Sequence, residues 1–360
     1  MAAAKKEEII QRATAEQQKK FSLASFKKKK GFSSNSIKFK PQTWIPLSKA
    51  WQDVTSLPGI PQGHITLLRG HSDTGKSTTL LECAASCQRM GILPVFIITE
   101  MKWSWEFAKK MGVQVEEVYN KETGEVEDYD GFFLYVDRGS LNTIEDVANY
   151  IGDLLDEQAK GRLPYDLCFL WDSVGSVPCE QSVNSNKNNN QWNAGAMSTQ
   201  FSGWINQKIP LSRKEASPYT NTLVCINKIW VSPPESFLGQ PKMNNKGGES
   251  MYYDASVCFT YGNISNAGTS KIKAAAGGKA FEFAKRTKIS CDKNHITGVQ
   301  SVDYIVMTPT GFIHNDKKEI DAYAAEHKEE WKNIIGTDHF DIDIEPVVGE
   351  TPNNLVEDDD

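Results

Sequence analysis

The residues Gly70, His71, Ser72, Asp73, Thr74, Gly75, Lys76, Ser77 and Thr78 follow one another in the spacing G-x-x-x-x-G-K-S. A phosphate chain needs inward-pointing backbone N–H groups, and glycines at 70 and 75 let the chain turn that way. Lys76 would reach the β- and γ-phosphates of a nucleotide, and the Ser77 hydroxyl would hold Mg²⁺. The flanks fit. Residues 64–69 read as a buried strand and 79–85 as a helix, whose N-terminus adds partial positive charge. The pattern is that of a P-loop, so ATP and Mg²⁺ are the expected cofactors. Asp172 closes the apolar run 167–171, the place of a Walker-B carboxylate that holds the metal. A strand-end or N-cap aspartate is the plainer alternative. Glu100 follows the apolar run 94–99, directly after the P-loop helix. A carboxylate there can orient and activate an attacking water; a strand-end surface glutamate is the alternative.

Those side chains need strands and helices to hold them. Apolar runs at 64–69, 94–99, 132–136, 167–172 and 222–226 alternate with helical stretches from 79, at about 104–111, at 141–158 and at 194–209. The alternation predicts an α/β fold: a mostly parallel sheet flanked by helices on both faces. The P-loop, Glu100 and Asp172 all fall at carboxyl ends of strands, where such sheets bind ligands. Strand-like segments at 255–261, 280–291 and 301–307 lack intervening helices, which predicts antiparallel strands on the C-terminal side; a helix is expected at 317–335. Residues 119–131 read as a polar hairpin around Gly124. Two further polar segments, about 180–195 and 230–249, read as long loops, and the Asn/Gln/Ser-rich stretch 180–193 as a mobile one.

With 360 residues, 39% hydrophobic and 24% charged, the chain can bury a sizeable core. It has no apolar run long enough to span a membrane, and its start lacks the apolar segment of a secretion signal. The seven cysteines, at 83, 87, 168, 179, 225, 258 and 291, are scattered without C-x-x-C spacing. That pattern predicts no zinc site, small core residues at Cys83 and Cys87, and a reducing, cytoplasmic setting. The net charge of −6 is uneven: residues 1–40 carry eleven Lys/Arg against three Glu, and residues 336–360 nine Asp/Glu with no Lys/Arg. A basic arm suits nucleic acid, and a solvated end is the alternative. Three regions are expected: a basic arm at 1–43, a core at 44–315, and a short C-terminal region at 316–360 with an acidic tail.

Glu100 is followed seven residues later by Phe107 and then by Ala108-Lys109-Lys110-Met111-Gly112-Val113. This resembles the segment after the second strand of RecA-type DNA recombinases. Asp172-Ser173-Val174 and Asn221 to Ile229 resemble later motifs of that family, in the same order. So do Gly239-Gln240-Pro241 with Gly247-Gly248 and Tyr253 to Ser256, and Lys293-Asn294-His295-Ile296. The likeness covers about 45–312, and size with a loose fit to bacterial RecA points to the phage UvsX-like branch.

The resemblance implies a RecA-like P-loop NTPase core and a DNA-dependent ATPase. It implies filaments on single-stranded DNA that exchange strands with double-stranded DNA, for recombination, repair and recombination-dependent replication. A single-strand-binding protein and a loading mediator are the implied partners. By position, Glu100 would be the catalytic carboxylate and Phe107 would stack on adenine. Lys228 would sense the γ-phosphate where RecA has Gln. Lys293 and His295 would reach a neighbouring subunit's γ-phosphate. In the two loops Lys187, Lys242 and Lys246 would neutralise DNA phosphates, and Trp192, Trp230 and Phe237 would stack on or wedge between bases. Phe21-Ser22-Leu23-Ala24 resembles an F-x-x-A docking pattern. Two rivals share the P-loop: a RecA-fold hexameric helicase, and an ATPase switch or small-molecule kinase that ignores DNA.

Overall fold

The computed structural model describes residues 20–29, 38–187, 189–232, 242–245, 248–262, 270–276, 279–328 and 331. They fall into two units. Residues up to Lys40, with Lys214–Ala216, form the first; Pro41–Arg213 and the residues from Ser217 on form the second. In the first unit a helix spans Leu23–Lys29, exposing Phe21, Leu23 and Phe26, and Phe39 bridges to Lys214.

In the second unit the strands are β1 (Trp44–Pro46), β2 (Gly59–Pro61), β3 (Ile65–Gly70), β4 (Leu93–Ile98), β5 (Glu116–Tyr119), β6 (Val126–Asp130), β7 (Leu134–Asp137) and β8 (Leu167–Asp172). They continue with β9 (Thr222–Ser232), β10 (Lys242–Asn245), β11 (Val257–Gly262), β12 (Lys271–Ala276), β13 (Lys279–Asn294), β14 (Ser301–Thr308) and β15 (Gly311–His314). The main sheet runs β15-β14-β13-β11-β3-β9-β8-β4-β7, with β10 on β9 and β12 on β13. From β11 to β7 every pairing is parallel, and β13, β14 and β15 add on antiparallel.

Parallel strands here are buried on both faces, which is why β4 and β8 read as unbroken apolar runs. One face carries the helix Lys76–Met90, with Leu80, Leu81 and Ala84 against Phe96, Leu170 and Phe259. The other carries the helix Ile144–Ala159 and Phe201, over Ile97, Phe169 and Trp171. Thr143 and Asp146 close a capping box at the start of Ile144–Ala159, satisfying backbone donors that would otherwise be orphaned. No helix among the described residues is long and apolar enough to cross a membrane.

Two loop expectations are corrected. The stretch 180–193 contains the helix Glu180–Asn184 and the start of Asn190–Met197, which continues as a π-helix over Ser198–Ile205 and as the helix Asn206–Leu211. Its polar residues serve the backbone in place of an apolar core. Asn189 accepts from Gln191 N and Trp192 N, and buried Asn193 accepts from Cys179 N and Ser182 Oγ. In the stretch 230–249, the described residues 230–232 and 242–245 are strand and not loop. Ile229-Trp230-Val231 keeps β9 extended, and β10 folds back against it with Asn244 opposite Trp230. Of the helix expected at 317–335, Lys317–Glu326 is helical and begins on the Asp316 cap, while 329–330 and 332–335 lie outside the described residues.

His314 ties three elements of the second unit together. Its Nε2 lies 3.0 Å from Asp53 Oδ2 and its Nδ1 2.8 Å from Glu319 Oε1. Only the imidazolium donates from both nitrogens. Burial pulls its pKa down, but the Asp53 and Glu319 hydrogen bonds outweigh burial and raise it above the usual 6.5. The resulting stabilisation is complete below that value and is lost as pH rises through the raised one. His314→Gln is therefore expected to lower the melting temperature more at pH 6 than at pH 9. Equal losses at both pH values would show that the charge plays no part.

Candidate active site

The sheet order brings the candidate residues together. β3, β9, β8 and β4 are adjacent and parallel, so their carboxyl ends form one edge, with Gly70 level with Lys228 and Ile98 level with Asp172. Beyond β3 the chain turns through Asp73 (φ 57°) and Gly75 (φ 98°) into the helix that starts at Lys76. Thr74 Oγ1 donates to His71 O at 2.8 Å, and Thr79 Oγ1 to Gly75 O at 3.1 Å, fixing the loop. Lys76 is buried, and its ammonium donates to His71 O. Burial pushes its pKa down to about 8 against the pull of Asp172 and Glu100.

Ser77 Oγ donates to Asp172 Oδ2 at 2.8 Å. Burial pushes the Asp172 carboxyl up, with the Ser77 hydrogen bond opposing. Thr99 N and Glu100 N both donate to Asp172 O, and the Asp172–Ser173 peptide is cis. Glu100 is held from two sides. Ser173 Oγ donates to its Oε1 at 2.5 Å and Lys228 Nζ to its Oε2 at 2.9 Å. Burial raises the Glu100 carboxyl, but these two partners outweigh it and hold it below the ordinary range.

Ser72, Lys76, Ser77, Glu100, Asp172 and Lys228 line one cleft of about 110 Å³, together with Asp73, Lys102 and Trp103. Its hard oxygen donors, Ser77 and Asp172, suit Mg²⁺. Trp103, whose buried indole N–H has no hydrogen-bond partner among the described residues, forms part of the wall. The residues thus fit a magnesium–nucleotide. A second cleft of about 530 Å³ shares Asp73 with the first and is lined by Thr78, Phe107, Phe283, Met307 and Pro309, so Phe107 stands beside the P-loop helix.

The other candidates lie elsewhere. Lys293 Nζ donates to Tyr252 O (2.7 Å) and Tyr253 O (2.8 Å), His295 is exposed, and neither lines the phosphate cleft of its own chain. Lys187 lines a cleft of about 420 Å³ with Arg138, Ser182 and Asn190. Trp192 packs partly buried on the core, whereas Trp230 is 54% exposed on β9. Lys242 begins β10; Phe237 and Lys246 lie outside the described residues. Sequence reasoning missed Ser173 as a partner of Glu100, Trp103 as a wall of the cleft, and Arg138. It also missed Lys285, whose Nζ donates to Asp73 O at 3.0 Å. None carries a spacing signal of its own, although Ser173 and Trp103 both sat inside segments that carry the resemblance.

Residues 8–130 match the RecA N-terminal domain family. A stretch of 76 residues is 40% identical to the RecA protein of Aquifex aeolicus (strain VF5), covering 21% of this chain and 22% of that protein. The match thus spans about a fifth of the curated relative's length. Joined to a mixed α/β sheet with a P-loop at its centre, these likenesses support a RecA-type nucleotide-binding core.

Proposed function

We propose that this chain is an ATP-dependent DNA strand-exchange protein of the RecA type, of the phage UvsX-like branch, that forms filaments on single-stranded DNA. The observation that carries the reading is the sharing of strands. β8 ends in Asp172 and leads into the 180–195 segment; β9 carries Lys228 and leads into the 230–249 segment. Nucleotide contact and DNA contact would then sit on the same two strands, a layout that an ATPase indifferent to DNA does not need.

In this reading Lys76 binds the β- and γ-phosphates, and Ser77 and Asp172 hold Mg²⁺, which supplies positive charge against them. Phe107 stacks on adenine. Glu100 orients the attacking water and takes its proton. Lys228 moves from Glu100 to the γ-phosphate and frees the carboxylate to act. Lys293 leaves its Tyr252 and Tyr253 carbonyls to reach a neighbouring subunit, with His295 beside it. Lys187, Lys242, Lys246, Trp192, Trp230 and Phe237 contact DNA, and Phe21-Ser22-Leu23-Ala24 docks on the next copy. The acidic tail, 336–360, moderates duplex binding. A single-strand-binding protein and a loading mediator act with the filament in the cytoplasm.

ATPase rates with and without single-stranded DNA, read beside negative-stain images of the same samples, test the proposal. Stimulation together with helical filaments is expected. Closed rings would favour a helicase, and no response with no assembly would remove DNA from the reading. Lys228→Met is expected to reduce turnover about 10²-fold, the usual cost of a lost contact to developing charge. It should also shift the acid limb of the kcat/KM profile upward, because the Glu100 carboxyl loses the ammonium that holds it low. An unmoved acid limb would separate Glu100 from that limb.

A further inference from the structure

Cys83 and Cys87 lie one turn apart on the inward face of the helix Lys76–Met90, and Cys168 faces them from β8. The three sulfurs lie within 4.8 Å of one another, and all three residues are 0% exposed. The sequence alone offered only the pair on the helix; the sheet supplies the third thiol. No fourth histidine, cysteine or carboxylate among the described residues joins them. The wall around them is apolar, with Leu80, Ala84, Phe96 and Leu170 in the same cluster.

We propose that this trio is a binding site for a trivalent, thiol-seeking ion of the arsenite class. Ligand count, charge and softness each favour it. Zinc in a closed protein site takes four ligands, and a fourth is missing. Copper(I) on three thiolates would leave net negative charge in an apolar core, which is costly. A trivalent ion on three thiolates is neutral and needs no further donor, and thiolate sulfur is the soft ligand such an ion prefers. The reaction balances without an oxidant. Each thiol proton leaves with one hydroxyl of arsenous acid as water, and three As–S bonds replace three As–O bonds. Capture has to wait for local opening of the core, so uptake is slow and becomes independent of arsenite concentration when arsenite is high. The product would clamp the helix that begins with Lys76 and Ser77 to the strand that ends in Asp172.

The test is independent of nucleotide and DNA. The full chain, reduced with a phosphine, is incubated with sodium arsenite and weighed intact under native conditions, and its melting temperature is followed. One arsenic per folded chain is expected, with a raised melting temperature and release by excess small dithiol. Cys83→Ala, Cys87→Ala and Cys168→Ala should each weaken binding roughly 10²-fold, the loss of one tethered ligand. Cys225→Ala, a buried cysteine outside the trio, should bind as the parent does. Each variant's thermal melt shows whether it is folded, and a folded member of the three suffices. No arsenic on the folded parent, even in mild urea that speeds local opening, would overturn the proposal. Parent-like affinity in folded Cys168→Ala would overturn it as well.

Discussion

Glu100→Gln is expected to slow ATP turnover by about 10²- to 10⁴-fold, the range a positioned general base supplies, while ATP and DNA binding persist. The substitution is nearly isosteric, so the backbone contact from Glu100 N to Asp172 O and the Ser77–Asp172 pair have no reason to change. What changes is chemistry. The amide cannot take a proton, and it meets the Lys228 ammonium with one acceptor oxygen where the carboxylate offered two, each within 2.9 Å of Nζ. Lys228 is thereby loosened toward the phosphates, so nucleotide affinity should hold or rise. Single-turnover hydrolysis and fluorescent-nucleotide binding, measured on one sample, separate the two effects. Parent-like hydrolysis would remove Glu100 from the mechanism. Lost nucleotide binding would mean that the ion pair supports the cleft itself.

The local parts of this arrangement were legible in the sequence. The P-loop announces itself by spacing, and β4 and β8 by apolar runs that end at Glu100 and Asp172. Parallel pairing followed from the alternation of strands and helices. Long-range meetings were not legible. Lys228 reaches Glu100 across 128 positions, and Cys168 joins Cys83 only because β8 packs under the P-loop helix. Tyr135 meets Trp103 and Trp105 because β7 pairs with β4, which carries Phe96 against both tryptophans. The helix at 180–184 and the first turn of Asn190–Met197 escaped for a different reason. Caps and buried amides such as Asn189 and Asn193 hold them, and these residues leave no apolar period to read. Composition spoke for a loop, and hydrogen bonding decided otherwise.

Gly70→Ala is expected to cost about 2 to 5 kcal/mol of stability, the sum of a positive-φ penalty and overpacking. In the sequence Gly70 explains itself as the first glycine of a phosphate loop, and its φ of 149° agrees with that need. The structure adds a second demand. A Cβ at Gly70 would lie 2.1 Å from Tyr261 O and 3.0 Å from Tyr261 Cβ, on the neighbouring strand β11. Tyr261 cannot retreat. It is fully buried, its hydroxyl lies 2.7 Å from Thr79 Oγ1, and Trp51 Nε1 donates to the same hydroxyl at 3.3 Å. Moving Tyr261 would therefore disturb the P-loop helix through Thr79, so relief of the clash in one place creates strain in the other. Gly91 provides the comparison. Its φ is 70°, yet a Cβ there meets nothing within 4 Å, so Gly91→Ala should cost only the backbone term, about 1 kcal/mol. Urea unfolding midpoints of the two variants, taken against the parent, decide between the causes. A large gap assigns the loss at Gly70 to the close approach of β11; equal losses would assign it to backbone conformation alone and remove Tyr261 from the account.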